Sequence, residues 1–137
     1  MSASKPAVVD RADLEAAALE TARVLGRAIG ESSVFRAFEG AQETLVADEE
    51  VSRRLRAYQT RQQEIWLARS WGGADPLQEQ ALDEEWRTLS AMPTLRAYLR
   101  AQEELTALLR EVAGIISQEI GIDYGATCAP ASGCCCC

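Results

Sequence analysis

Residues 93 to 121 read PTLRAYLRAQEELTALLREVAGIISQEIG, and the spacing of their apolar side chains decides the fold. Leu95, Tyr98, Leu99, Gln102, Leu105, Leu108, Leu109, Val112, Ile115, Ile116 and Ile120 recur mainly at steps of three and four. Helical side chains repeat every ~3.6 residues, so this spacing gathers them on one stripe. Pro93 suits a first turn, where a missing N–H costs nothing, and Gly121 suits the end. A helix of this length runs about 43 Å at ~1.5 Å per residue. A compact domain of 137 residues has a radius of gyration near ~14 Å, hence a diameter of about 37 Å. The stripe therefore needs an equally long internal partner or a second copy of the chain. Self-association through Leu95, Tyr98, Leu99, Leu105, Leu109, Val112 and Ile116 is expected, and Leu99→Asp or Leu109→Asp should break it by placing a charge in the stripe.

Upstream, the chain punctuates itself into four more helices. Residues 1 to 9 carry Pro6 and small side chains and read as a disordered tail. Asp10 is a plausible N-cap, and Leu14, Ala17, Ala18, Thr21, Val24, Leu25, Ala28 and Ile29 form a stripe ending near Gly30. Gly26 and Gly30 make a GxxxG pair, read as close packing or a helix end rather than a dimer motif. Ser32 or Ser33 can cap a second helix that turns Val34, Phe35, Phe38, Ala41 and Leu45 inward. Asp48 reads as the next N-cap, with Glu49 and Glu50 in the first turn, where carboxylates favour the helix dipole. Over residues 49 to 70, Val51, Leu55, Tyr58, Gln62 and Ile65 keep coiled-coil-like spacing and Trp66 widens the stripe. Trp71-Gly72-Gly73-Ala74-Asp75-Pro76 is the clearest break. After it, Asp75 caps, Pro76 takes the first helical position and Gln78 completes a capping-box-like pattern. The fourth helix is expected to bury Leu77, Ala81, Leu82, Trp86 and Leu89 and to stop at Met92-Pro93. The fold class is all-α: a multihelical bundle of about five helices with one long C-terminal helix. Its folded domain spans residues 10 to 121, followed by a flexible cysteine-rich tail over 122 to 137.

Composition excludes several functions. The net charge is −7, which opposes nonspecific binding to nucleic acid and to anionic membranes, since both rest on basic surfaces. The arginines at 53, 54, 56, 61 and 69 look like a nucleic-acid face, but the overall negative charge favours a solvated face interleaved with acids. No apolar run approaches the roughly 18 residues of a membrane span, and residues 1 to 15 lack the apolar core of a signal peptide, so a cytoplasmic location is expected. The chain has no histidine, which removes histidine-activated nucleophiles, HExxH zinc sites and the most frequent general base. Glu103 and Glu104, like Asp83, Glu84 and Glu85, are neighbours on a helix and point different ways, so neither cluster converges on one substrate atom. Gly72-Gly73 lacks the further glycines and the lysine of a phosphate-binding loop. An enzyme is not expected.

All five cysteines follow the long helix: Cys128, Cys134, Cys135, Cys136 and Cys137. No cysteine staples the body and the count is odd, so a disulfide framework is not the reading. Cys134 and Cys137 have C-x-x-C spacing, and Cys128 can add a third thiolate to a soft metal or an iron–sulfur cluster. Neighbouring side chains diverge, so one chain would supply only some of the ligands and a partner chain the rest. A redox-exposed tail without fixed metal and a lipidated tail are the other readings. Lipidation usually accompanies basic residues, and none follows Arg110.

Taken together, the order of elements resembles the YlbF/YmcA family of small helical bacterial regulators. The resemblance rests on ALETARVLGRAIGESSVFRAFEGAQETLVAD (residues 18 to 48), LRAYQTRQQEI (55 to 65), the stretch 93 to 121 and the cysteine-bearing tail. Its signposts are Asp48, Gln59, Gln62, Pro93 and Tyr98. The resemblance implies a protein without catalysis of its own that forms homo-oligomers or pairs with paralogues. It also implies complexes governing competence, sporulation and biofilm formation, and modulation of RNA maturation through a membrane ribonuclease. Some family complexes carry iron–sulfur clusters on C-terminal cysteines. This tail departs from that pattern by placing four in a row. Two functions stay open at this level: a regulatory adaptor, and a leader-like carrier or precursor whose cysteine tail is modified or delivers metal. The intact mass of the chain from its native host separates them.

Overall fold

The computed structural model describes residues 10–73 and 75–127. Every regular element among them is helical: α1 (Arg11–Glu31), α2 (Ser33–Ala47), α3 (Glu49–Ser70), α4 (Pro76–Ser90), α5 (Pro93–Ile120) and the single turn α6 (Tyr124–Thr127). The all-α class and the boundaries of the long helices are as the sequence requires. The chain divides into two compact units between Arg36 and Ala37, inside α2.

In the first unit, Asp10 caps α1 by accepting from the Ala12 N–H. No residue of α1 is buried. Ser32 then does two jobs in extended backbone: its hydroxyl donates to the Ile29 carbonyl at 2.6 Å and accepts from the Phe35 N–H at 3.2 Å. One side chain thus ends α1 and starts α2, which resolves the choice between Ser32 and Ser33 as cap.

The second unit holds the core. Val51, Leu89 and Leu95 are each 1% exposed and form a cluster with Leu45. Leu55, Tyr58, Trp86, Met92, Tyr98 and Leu99 pack around it. Tyr58 and Trp86 meet as a tilted pair with ring centroids 5.2 Å apart, and Phe38 meets Tyr98 in the same way at 5.5 Å. Burial raises the Tyr58 hydroxyl's pKa, with Asp83 and Glu85 adding to the rise. The cluster sits where the end of α2, the start of α3, the end of α4 and the start of α5 meet.

Asp48 ties these ends together. Its Oδ1 accepts from the Val51 N–H at 3.1 Å, the expected cap, and its Oδ2 accepts from the Thr94 hydroxyl at 2.8 Å, a partner 46 residues away. The Val51 N–H first, and then the Thr94 hydroxyl, hold the Asp48 carboxyl below its ordinary range. A depressed folded pKa adds stability that is fully present above the unfolded value near ~3.9 and is lost as pH falls through the folded value. Asp48→Asn keeps a capping oxygen and loses the charge. It should lower the urea midpoint at pH 7, with the gap to the native chain closing below about pH 4. A gap that stays constant down to pH 3 would remove the charge from the account.

The other helix ends follow their residues. The Asp75 side chain accepts from the Leu77 N–H at 2.9 Å, one residue short of the capping-box position at Gln78. Gly72 closes α3 at φ +76° and Gly121 closes α5 at φ +72°, a region that L side chains enter only at a cost. Beyond Gly121, at the start of the tail expected to be flexible, α6 forms and the Tyr124 N–H donates to the Ser117 hydroxyl at 3.0 Å.

Three expectations of burial fail around the α3–α4 turn. Trp66 is 66% exposed, Leu77 is 74% exposed, and Ala81 is exposed as well. Two helices packed side by side bury only the row that faces across. Side chains one step off that row need a third helix, and the core cluster lies at the opposite end of the hairpin.

Candidate interaction surfaces

The seven stripe residues of α5 divide into two groups. Leu95 lies inside the core, and Tyr98 and Leu99 pack against it. They belong to the chain's own interior because α4 turns directly into α5 at Met92-Pro93, bringing the first two turns of α5 onto Leu89. The distal group is more open. Leu105, Val112 and Ile116 are half-buried, and Leu109 is 45% exposed. Ile115 and Ile120 on the same helix are exposed too. From Leu105 to Ile120 this face runs about 24 Å.

A second apolar surface lies at the α3–α4 turn, and sequence periodicity does not reveal it. Trp71 is 88% exposed, and Trp66, Leu67 and Leu77 are also solvent-facing. Trp71 is held there by helix termination: its N–H donates to Leu67 and Ala68 carbonyls, and the Gly73 N–H donates to Ala68 at 2.8 Å. The signal available in the sequence is a tryptophan beside Gly-Gly, since a residue in a turn cannot join a helical stripe. Two ion pairs lock the hairpin: Arg61 to Glu85 and Arg69 to Glu79, each at 2.5 Å. Arg53 pairs with Glu50 in the same way, whereas Arg54 is half-buried and reaches the Met92 sulfur, so it does not belong to the solvated face. Between α3 and α4 runs a groove of about 510 Å³, lined by Arg61, Glu64, Ile65 and Ala68 of α3 and Gln78, Ala81 and Leu82 of α4.

Among the described residues, no group of three or more acidic or cysteine side chains is placed to hold a metal ion. The expected ligands Cys128, Cys134, Cys135, Cys136 and Cys137 lie outside the described residues. No helix among the described residues is long and apolar enough to cross a membrane.

Comparison with known proteins matches these features to one family. The family described as "Control of competence regulator ComK, YlbF/YmcA" matches residues 18–121, from the middle of α1 to the C-cap of α5. A UPF0342 protein of Desulfitobacterium hafniense (strain Y51) is 31% identical over 119 residues, covering 85% of this chain and 90% of the relative. A second UPF0342 protein of that strain is 32% identical over 102 residues, covering 74% of this chain and 82% of the relative. The match spans the core cluster, Asp48 and both apolar surfaces, and the chain belongs to the YlbF/YmcA family of regulatory proteins.

Proposed function

We propose that this protein is a non-enzymatic regulatory adaptor that acts through protein–protein contacts and self-associates along the distal half of α5. The observation that carries the reading is the run from Leu105 to Ile120, whose apolar side chains remain half-buried or exposed beyond the reach of the core. Burying such a face against a second copy recovers roughly 25 cal/mol per Å² of apolar surface. A homo-oligomer or a pair with a paralogous chain both use the same stripe. A ribonuclease or regulatory complex is the partner the family resemblance points to. The absence of histidine leaves the chain without the most frequent general base, in keeping with an adaptor. Sedimentation of the full chain at tens of micromolar is the test. An oligomer is expected, and a strictly monomeric chain in the absence and presence of its paralogues would overturn the reading.

The thiols of Cys128 and Cys134 to Cys137 are soft donors that suit an iron–sulfur cluster or another thiophilic metal, and we propose them as its ligands. Anaerobically purified protein should then carry iron and sulfide and absorb broadly near about 400 nm. Cys134→Ser combined with Cys137→Ser should abolish the bound metal. Full metal retention in that variant would move the ligands elsewhere.

A further inference from the structure

Two grooves of the second unit carry charge that is unanswered among the described residues. On α2, a groove of about 410 Å³ is lined by Glu39, Gln42, Glu43, Val46 and Ala47. At the start of α5, a groove of about 270 Å³ is lined by Ala91, Pro93, Arg96, Ala97 and Arg100. The first lining holds two carboxylates and no cation, and the second holds two guanidiniums and no carboxylate. Glu39, Glu43, Arg96 and Arg100 are all exposed, and none belongs to an ion pair among the described residues.

Helical phase turns both pairs away from the core. Glu39 follows Phe38 by one residue, and Arg96 and Arg100 follow Leu95 and Leu99 by one, a rotation of about 100° at ~3.6 residues per turn. Glu43 precedes Leu45 by two residues, about 160° round the helix. These side chains point to where another molecule would arrive.

The two pairs match each other. Each is spaced i, i+4, so its charges stand about 6 Å apart along the helix axis. Equal spacing lets one helix lie along the other with both carboxylates against both guanidiniums. The surroundings fit the same contact. Val46 is 71% exposed beside the carboxylates, and Ala91, Pro93 and Ala97 beside the guanidiniums are too small to hold an incoming helix away. A second copy of the chain brings the complement of each groove. Its net charge of −7 opposes the approach only weakly at physiological ionic strength, where screening acts beyond about 8 Å and spares charges in contact.

We propose that the α2 carboxylate groove of one copy docks on the α5 guanidinium groove of a second copy. Across a twofold axis the contact occurs twice, and head to tail it occurs once per junction. It uses no residue of the distal α5 stripe and so goes beyond the interface proposed above. Exposed ion pairs are individually weak, so this contact gathers copies at high protein concentration and does not hold the oligomer at low concentration.

The test is charge reversal on the full chain, read as weight-average mass by sedimentation equilibrium. The native chain at ~0.5 mM in ~0.15 M salt should exceed the mass it shows at tens of micromolar. Arg96→Glu with Arg100→Glu, or Glu39→Arg with Glu43→Arg, should each weaken this added association about tenfold or more, since like charges then face each other. An equimolar mixture of the two reversed chains should recover it, because every groove again meets its opposite. Arg53→Glu with Arg56→Glu has the same net charge as the first variant and leaves both grooves intact, so it should keep the native excess. Circular dichroism should show the same helix content throughout, since all these positions are exposed. A native chain with no added mass at ~0.5 mM would overturn the proposal. So would an excess that survives either reversal, a mixture no heavier than its components, or an equal loss in the Arg53 and Arg56 variant. The α5 stripe sets the mass at low concentration, so its failure is read separately there.

Discussion

Leu89→Ala should destabilise the protein by about 3 kcal/mol, within the ~2–5 kcal/mol seen when buried leucines are truncated. Leu89 is 1% exposed and stands at the centre of the cluster with Leu45, Val51 and Leu95. Most of its neighbours cannot collapse into the space it leaves, because Val51 belongs to the first turn of α3 and Leu95 to the first turn of α5, where Asp48 and Pro93 hold the backbone. Native domains have only ~5–15 kcal/mol in hand, so the loss is a large share of the total. It should lower the melting temperature by roughly 10 °C for a chain of this size. Urea denaturation followed by circular dichroism checks it, with an unchanged slope showing that the unfolded reference has not moved. A loss below about 1 kcal/mol would mean that the cluster is not the main support of the second unit. The side chain of Trp71, although larger, should contribute almost nothing to stability, since it is 88% exposed.

Leu109→Asp should convert the proposed oligomer to monomers without unfolding the chain. Leu109 is 45% exposed within the chain, so aspartate there meets water in the monomer and loses that water only at the interface. In a twofold interface each copy contributes the same change, so two carboxylates would be buried together. Removing a charge from water without a partner costs several kcal/mol, which corresponds to a dissociation constant raised about 100-fold or more. Sedimentation equilibrium across a concentration series measures the shift, and circular dichroism confirms that the helices persist. An unchanged oligomer in a well-folded Leu109→Asp variant would take the distal stripe out of the interface. Leu99→Asp gives the contrast. Sequence spacing puts Leu99 in the same stripe, but it packs against the core cluster, so its loss should appear as unfolding rather than as clean dissociation.

The division of the α5 stripe shows how far periodicity reaches. A step pattern of three and four assigns a face of a helix but carries no information on what covers each turn of it. Leu95, Tyr98 and Leu99 are covered because α4 ends immediately before α5, and a short connection forces neighbouring helices together. Leu105 to Ile120 lie beyond that contact. The same limit explains Trp66 and Leu77: pattern places them beside a buried row, and only the number of helices packed on the hairpin decides whether a neighbour of that row meets protein or water. Asp48 was half legible. Its role as N-cap follows from Glu49, Glu50 and the helix behind them, whereas its bond to Thr94 joins residues 46 apart.

The sequence by itself determined the local decisions. Asp10, Ser32, Asp48 and Asp75 set where helices begin, Gly72 and Gly121 set where two of them end, and the apolar steps set which side faces inward, because capping bonds, positive φ and the helical repeat act within a few residues. Tertiary structure alone decided which portions of those faces are covered. Burial depends on chain segments that meet across long sequence separations, so it buried the first turns of α5, left its distal half open, and placed two tryptophans in water at the end of the α3–α4 hairpin.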